Sequence, residues 1–225
     1  MRFRLYLLDV TELEDNNLQQ KALSLMDSYR KGKIYKYKTL KDRLHQIATG
    51  LLLQIGLLEL EISGLNQVEV CSEYDVSGKV FVCQIGDVIS ALESYRNGEC
   101  GIYIPIEAQY GLTDNGKPYW ENVFLEKFPE KQCSKFSISH SGAYAALAVS
   151  NCEIGLDLQE ERETTFAGGC QEFSRMEALV KCTGDGYAKG FNKYKTLEKN
   201  ASNFIFSKID VLSGYVIYLC HSNEV

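Results

Sequence analysis

A chain of 225 residues, of which 45% are hydrophobic and 24% charged, can bury the core of one domain or of two small packed halves. Its net charge of −6 argues against nucleic acid as a main partner, and no apolar stretch approaches the length of a membrane span. The first apolar residues end at Asp9, too early for a secretory signal, so we expect a cytoplasmic protein without a membrane partner.

The eight cysteines include no C-x-x-C pair, so their spacing is not that of a zinc site. Reduced thiols are expected in the cytoplasm. Cys182 follows a lysine and is a candidate nucleophile, but no histidine neighbours it in the sequence. A small residue packed on a helix is therefore the preferred interpretation of Cys182.

The first sixty residues predict one strand and two helices. A loose alternation over residues 3–8 indicates a strand, and apolar spacing predicts helices from Thr11 to Tyr29 and from Thr39 to Leu60. Between them, Arg30 to Arg43 contains seven basic residues and a single acidic one, Asp42. Taken alone, such a charge run is as consistent with a solvated helix face as with a binding site.

Residues 65–107 carry no functional signal. Their patterns predict three strands and one helix: Val68–Val70, Val80–Gln84, Ile102–Ile106 and Gly86–Tyr95. The segment from Thr113 to Tyr119 contains Asn-Gly and a proline, which predict a turn. On local grounds Lys117 in this turn is a solvated lysine, and Trp120 is a packing residue.

The centre of the chain predicts a hairpin of two strands. Phe136 to Gly142 opens the apolar run Ala145–Val149, and a turn then leads to a second strand, Ile154–Gln159. On that strand Asp157 and Gln159 share one face, while the leucines beside them point the other way. An acid in such a setting is costly to bury without a partner, so we expect one on the next helix.

That helix is predicted from Ser174 to Lys181, with Ser174 as its N-cap and Glu177 completing a capping box. Glu177 and Lys181 lie one turn apart, which by spacing alone indicates an exposed ion pair worth a few tenths of a kcal/mol. A strand carboxylate, a helix carboxylate and a lysine would together hold Mg²⁺ against a phosphorylated substrate. Two closing strands are predicted over residues 203–209 and 215–220.

Ser139 and His140, with an aspartate downstream, also suggest an esterase with Ser139 as its nucleophile. No G-x-S-x-G motif surrounds Ser139, and a serine and a histidine adjacent in sequence seldom form a triad. The esterase is therefore the weaker alternative.

Four motifs, taken in their order along the chain, are more specific. They are Gly116-Lys117-Pro118, Phe136 to Ser141, Gly155 to Gln159, and Glu177 to Lys181. Together they resemble the 4'-phosphopantetheinyl transferases of the surfactin-synthetase-activating type, which act as holo-acyl-carrier-protein synthases. The resemblance covers most of the chain.

The resemblance implies an α+β fold of two similar halves related by pseudo-twofold symmetry, each a small antiparallel sheet packed with helices. The first half, residues 1–152, would carry coenzyme A-binding elements, with an enlarged region at 65–107. The second half, residues 153–225, would carry the metal-binding and catalytic elements and is shortened after Gln159. Two fused halves would make a monomer sufficient.

The implied activity is Mg²⁺-dependent transfer of the phosphopantetheine arm from coenzyme A to a serine of an acyl or peptidyl carrier protein, releasing 3',5'-ADP. The resemblance makes Asp157, Gln159 and Glu177 the metal ligands. Glu177 would also take the serine proton, and Lys181 would offset charge on the phosphates. The implied coenzyme A contacts are Arg30, Lys33, His45, Lys117, Ser139 and His140.

Three departures from the family pattern are visible in the sequence. Gln159 stands where many members have an acidic metal ligand, and Phe173 and Met176 replace a usual tryptophan and lysine. The interval from Asp157 to Glu177 is short, so the chain is either a compact variant or lacks part of a loop that in relatives helps to dock the carrier. A non-catalytic module that binds coenzyme A or a carrier protein is therefore the alternative function.

Overall fold

The computed structural model describes residues 2–59, 66–71, 77–97, 110–121, 126, 134–162, 166, 168–186 and 203–222. These residues form α-helices and β-strands, so the predicted α+β class is confirmed. The helices are α1 (Asn16–Ser24), α2 (Ser28–Tyr35), α3 (Leu40–Leu58), α4 (Ile85–Arg96) and α5 (Gly169–Thr183), with a 3₁₀ turn at Thr11–Glu14. The strands are β1 (Arg2–Asp9), β2 (Asn66–Cys71), β3 (Ser77–Cys83), β4 (Tyr110–Leu112), β5 (Pro118–Trp120), β6 (Lys135–Ser141), β7 (Tyr144–Ser150), β8 (Ile154–Glu160), β9 (Phe204–Lys208) and β10 (Tyr215–Ser222).

The strands form two main sheets and a small hairpin. The first sheet has the order β2-β3-β1-β7-β6, the second has β8-β10-β9, and β4 pairs with β5. Strands β1 and β3 are parallel, so the first sheet is mixed and the expectation of an antiparallel sheet in each half is wrong there. The two sheets differ in strand number and direction, and the pseudo-twofold symmetry is not confirmed. The division at 152/153 stays a prediction.

The predicted hairpin between β7 and β8 is wrong. Strand β7 pairs with β1 on one side and β6 on the other, whereas β8 pairs with β10 in the second sheet. The apolar strand β7 is buried along Ala145–Ser150, as suits the interior of a sheet rather than the edge of a hairpin. The turn after β7 therefore carries the chain from one sheet to the other.

Two helix boundaries also differ from the prediction. The single helix expected over Thr11–Tyr29 is interrupted, because the carboxylates of Asp15 and Asp27 cap new helices at α1 and α2. Helix α5 begins at Gly169, five residues before the predicted start, and Ser174 is fully buried inside it rather than capping it. The segment Ile102–Ile106 lies outside the described residues.

The first sheet lies between a helical layer and the second sheet. Helix α3 follows the predicted span and buries its apolar face, including Leu44, Ile47 and Leu51, in one core with residues of β1 and β7. A second core joins Leu5 and Leu7 of β1 to the leucines and isoleucines of β8 and β10. None of the described helices is long and apolar enough to cross a membrane.

Serine side chains link the edge strands β6 and β8. The hydroxyls of Ser137, Ser139 and Ser141 accept hydrogen bonds from the backbone N–H groups of Leu156, Leu158 and Glu160 at 2.9, 3.1 and 3.0 Å. We call these three residues the serine ladder. It supplies partners to N–H groups that would otherwise be unpaired at a buried sheet edge.

Close packing at Gly155 brings α5 onto the second sheet. A Cβ atom at Gly155 would lie 1.9 Å from the carbonyl oxygen of Ala178 and 2.4 Å from the backbone nitrogen of Cys182. Only a residue without a side chain allows the helix to approach β8 this closely. Since Asp157 lies two residues further along β8 on the same face, Gly155 also sets the distance between Asp157 and α5.

We expect Gly155→Ala to lower the free energy of unfolding by about 1–3 kcal/mol, since α5 must move away from β8 to admit the methyl group. Urea denaturation measures the change. Gly32→Ala in α2 is a matched control, because nothing lies within 4 Å of its Cβ position, and it should raise stability by roughly 0.5–1 kcal/mol. Equal effects of the two substitutions would contradict the packing argument.

Candidate active site

Four side chains from three elements meet between β6, β8 and α5. Lys181 Nζ lies 2.7 Å from Asp157 Oδ1, 3.1 Å from Ser139 Oγ and 3.6 Å from Glu177 Oε2. Ser139 in turn donates to Asp157 Oδ1 at 3.1 Å. We call Ser139, Asp157, Glu177 and Lys181 the central cluster. The expected partner of Asp157 on the following helix is thus Lys181.

The hydroxyl of Ser139 uses its full hydrogen-bonding capacity. It accepts from the N–H of Leu158 and from Lys181 Nζ, and it donates its proton to Asp157. A hydroxyl has one donor and two acceptor positions, so this arrangement fixes the direction of the O–H bond. Because that proton is held by a carboxylate rather than by a histidine, the geometry does not favour Ser139 as the nucleophile of an esterase.

Burial and a neighbouring acid make Glu177 a weak acid. Loss of water on burial raises the pKa of Glu177 to about 7. The positive charge of Lys181 lowers this pKa in part, and the negative charge of Asp157 raises it. Lys181 contacts both carboxylates, so Asp157 and Glu177 belong to one site. A carboxylate that shares a site with a second acid and titrates near neutrality is suited to exchanging protons.

The central cluster has the donor atoms that a hard cation prefers. Asp157 is 3% exposed, and its Oδ2 has no hydrogen-bond partner among the described atoms. Lys181 is the cation that contacts both carboxylates. The described residues contain no cluster of three or more His, Cys, Asp or Glu that could hold a metal. The open Oδ2 of Asp157 and the nearby carboxylate of Glu177 nevertheless fit Mg²⁺, which keeps water and phosphate oxygens among its ligands.

Gln159, the third expected metal ligand, lies on β8 two residues after Asp157 and is half-buried. Its side-chain amide donates to the carbonyl of Glu160 at 3.2 Å. Its other atoms make no hydrogen bond to the central cluster in the described part of the chain. Its role at a metal stays a prediction.

The two histidines expected to bind coenzyme A are stacked on each other. The rings of His45, from α3, and His140, from the end of β6, have centroids 4.8 Å apart. Loss of water lowers the pKa of both, and for His140 the positive charges of His45 and Lys181 lower it further. Both rings are therefore neutral near pH 7, and each carries one N–H. The N–H of His45 is on Nδ1, which donates to the Lys41 carbonyl at 3.0 Å. Since His140 adjoins Ser139 in β6, this pair borders the central cluster.

Arg30 and Lys33 of α2 meet at Tyr110. Arg30 is buried and donates to the backbone carbonyl of Gln46 at 2.9 Å and to the Tyr110 hydroxyl at 3.4 Å. Lys33 Nζ lies 4.4 Å from the centre of the Tyr110 ring, a cation–π contact. Arg30 thus holds α2 to α3, and no described contact joins either basic residue directly to the central cluster.

Lys117 is not the solvated lysine that its turn suggests. Its side chain is 15% exposed, and its ammonium donates both to the carboxylate of Glu153 and to the carbonyl of Cys182 at the end of α5. It therefore holds the C-terminal end of α5 against the connection between β7 and β8. Trp120, by contrast, packs on Phe136 with ring centroids 4.2 Å apart, as expected.

Sequence reasoning missed residues that position the site. Ser137 and Ser141 were not considered, although the alternation Ser-x-Ser-x-Ser places three hydroxyls on one face of a strand and could have signalled the serine ladder. Glu153, the partner of Lys117, carries no local signal. Its importance comes only from the fold, which brings β5 and the start of β8 together.

The chain was compared with models of known protein families and with curated proteins, and neither comparison gave a match. The function is therefore argued from the geometry of the central cluster together with the motif order.

We expect Glu177→Gln to stabilise the metal-free protein above pH 7 by on the order of 1–3 kcal/mol. The folded protein holds the Glu177 proton up to about pH 7, whereas in the unfolded chain this carboxyl group has its ordinary pKa of 4.5 and loses the proton earlier. Wild-type stability therefore falls as the pH rises between these values. The variant has no such proton to lose.

The measurement is urea denaturation in EDTA from pH 4 to pH 8.5. The two proteins should converge at the acid end of the range. A variant that is less stable than wild type at pH 8 would show instead that the attraction between Glu177 and Lys181 outweighs the cost of burial.

Proposed function

We propose that this chain transfers the 4'-phosphopantetheine arm from coenzyme A to a serine of an acyl or peptidyl carrier protein, with release of 3',5'-ADP. The observation that supports the proposal is the convergence of Ser139, Asp157, Glu177 and Lys181 in one set of contacts. These residues come from three of the motifs on which the resemblance rests. Glu177 and Lys181 are one helical turn apart, but nothing in the sequence separation of Ser139 and Asp157 from that helix requires them to meet it.

Glu177 is the proposed base. A base that accepts a proton near neutral pH works best when its own pKa lies in that range, and the pKa of Glu177 is raised to about 7. Lys181 is the proposed electrostatic residue, since its side chain is 30% exposed and can contact a substrate oxygen while bonded to Asp157. Ser139 holds the side chains of Lys181 and Asp157 in place through one hydrogen bond to each.

Asp157 and Glu177 are the residues that would hold Mg²⁺, with Gln159 reaching a metal-bound water. The ion would supply positive charge to the diphosphate of coenzyme A and fix its orientation. The open Oδ2 of Asp157 and the excess of carboxylate over lysine in the central cluster support this assignment.

The remaining predicted contacts surround the central cluster. Ser139 belongs to it, and His140 lies at its edge, stacked on His45. The N–H of His45 donates to the Lys41 carbonyl, so His140 is the ring proposed to donate an N–H to a phosphate oxygen. Arg30 and Lys33 are proposed to serve the adenosine end of coenzyme A, beside Tyr110. Lys117 would reach phosphate only by leaving Glu153. We further propose that the two sheets correspond to the two family halves, so that a monomer is sufficient.

Intact-mass measurement tests the proposal directly. An apo carrier protein incubated with the chain, coenzyme A and MgCl₂ should gain the mass of one phosphopantetheine arm. Asp157→Asn and Glu177→Gln should reduce the rate by at least roughly 100-fold, because each removes a charged group from the central cluster. Glu172→Gln, on the same helix but outside the cluster, is the matched control and should retain the wild-type rate.

Circular dichroism confirms that each variant is folded. Wild-type rates in both cluster variants would refute the assigned site. A folded wild-type chain that binds coenzyme A but modifies no carrier would favour the non-catalytic module.

Magnesium binding can be tested without turnover. At MgCl₂ well above its dissociation constant, linkage stabilises the folded state by a few kcal/mol, for example about 2.7 kcal/mol at a 100-fold excess. We expect the melting temperature of the wild type at pH 8 to rise by several degrees, and that of Glu177→Gln and Asp157→Asn to stay constant. Equal shifts in wild type and variants would place the ion elsewhere.

A further inference from the structure

Exposed apolar side chains are concentrated in helix α2 and the segment that follows it. The described residues contain six exposed large hydrophobic side chains, and four of them lie between residues 29 and 40: Tyr29 at 44%, Tyr35 at 65%, Tyr37 at 42% and Leu40 at 54%. The other two, Leu112 and Tyr119, lie on the β4–β5 hairpin. Single exposed apolar residues are ordinary, but their grouping in one short segment indicates a contact surface.

The same segment carries positive charge. All residues from Tyr35 to Asp42 are exposed, and they include Lys36, Lys38 and Lys41 against the single acid Asp42. The whole chain has a net charge of −6, so this segment is opposite in sign to the rest of the protein. We call Tyr35, Lys36, Tyr37, Lys38, Leu40 and Lys41 the tyrosine–lysine surface. Tyr29 is left out because Lys33 lies over its ring at 4.9 Å.

The tyrosine–lysine surface lies next to the candidate active site. The carbonyl of Lys41 is hydrogen-bonded to His45 Nδ1 at 3.0 Å, and the His45 ring stacks on that of His140. His140 follows Ser139 of the central cluster directly in β6. A short series of contacts therefore leads from Lys41 of this surface through His45 and His140 to Ser139, which donates a hydrogen bond to Asp157.

We propose that the tyrosine–lysine surface docks the carrier protein through an acidic face of that partner. The inference rests on the proposed function and adds the position and chemistry of the partner contact. The acceptor is a serine on a folded protein, so the partner must touch the chain close to the central cluster. Tyrosine gives large contact area at a low cost in side-chain entropy, and lysines around it select and steer an acidic partner.

A macromolecule fits the observations better than a nucleotide. The exposed apolar area belongs to three well-separated side chains, Tyr35, Tyr37 and Leu40, along a segment of six residues. A protein face can cover such a segment, whereas one nucleotide cannot.

The direct test measures binding without turnover. The probe is an acidic apo-acyl carrier protein whose acceptor serine is replaced by alanine, with a fluorescent label for anisotropy. Lys36→Glu combined with Lys38→Glu, and separately Tyr35→Ser combined with Tyr37→Ser, should each weaken its binding at least tenfold. Lys21→Glu with Lys31→Glu is the matched charge control, and it should weaken binding far less. Raising the salt concentration should weaken binding to the wild type and should affect the lysine variant little.

Kinetics with the unmodified carrier separates this inference from the proposed function. The surface variants should raise the KM for the carrier at least tenfold and leave the KM for coenzyme A and the kcat within about twofold. Active variants with an unchanged carrier KM, or with a raised KM for coenzyme A alone, would overturn the docking surface while leaving the transferase intact. A chain that binds the probe through this surface but transfers nothing would overturn the transferase alone. Failure to bind any of a panel of acidic acyl and peptidyl carrier proteins would overturn the docking surface.

Discussion

The contact between the buried carboxylate of Asp157 and the ammonium of Lys181 is the constraint on which the site depends. Removing one partner of a buried ion pair leaves a charge without compensation, which is far more costly than the pair itself. Lys181 can reach Asp157 only because α5 lies directly on β8, and Gly155 permits that approach by having no side chain. The motif Gly155-Leu156-Asp157 therefore works as a unit. The glycine places the helix, the leucine anchors the strand in the core between the sheets, and the aspartate receives the lysine.

The serine ladder gives the motif from Phe136 to Ser141 a structural role, because its hydroxyls join β6 to β8. Strands β6 and β8 are edges of different sheets, and no backbone ladder joins them among the described residues. Hydroxyls at alternate positions of β6 replace that ladder, and Ser139, the middle one, also bonds to Asp157 and Lys181. The junction between the sheets and the central cluster consequently share an atom, Ser139 Oγ. A change at Ser139 would alter both the packing of the sheets and the electrostatics of the cluster.

Features determined by local pattern could be predicted from the sequence. The wide apolar face of α3, the strand β8 and the need of Asp157 for a partner on the next helix all follow from periodicity and the cost of burying charge. The ends of the helices and the pairing of the strands could not be predicted, because they depend on competition between local signals. Ser174 and Glu177 match a capping box, yet the preceding Gly168 and Gly169 turn the chain earlier and place Ser174 inside the helix. Likewise β7 and β8 are close in sequence, but β1 and β6 offer β7 two partners and leave no edge for β8. The ion pair between Lys117 and Glu153 could not be predicted either, because only the complete fold brings the two residues together.

The charge balance of the central cluster explains how a glutamine at position 159 is compatible with a cation site. With Asp157 and Glu177 ionised, Lys181 neutralises only one of the two carboxylates, so the cluster keeps a net charge of −1. A third acid would add negative charge in a partly buried place, where burial and the charge of Asp157 already raise the pKa of Glu177. Under the proposed function, a divalent ion would bring the cluster to +1, and a phosphate-bearing substrate would neutralise that charge. Under the proposed function, a neutral Gln159 would leave the attraction for the ion to Asp157, Glu177 and the substrate.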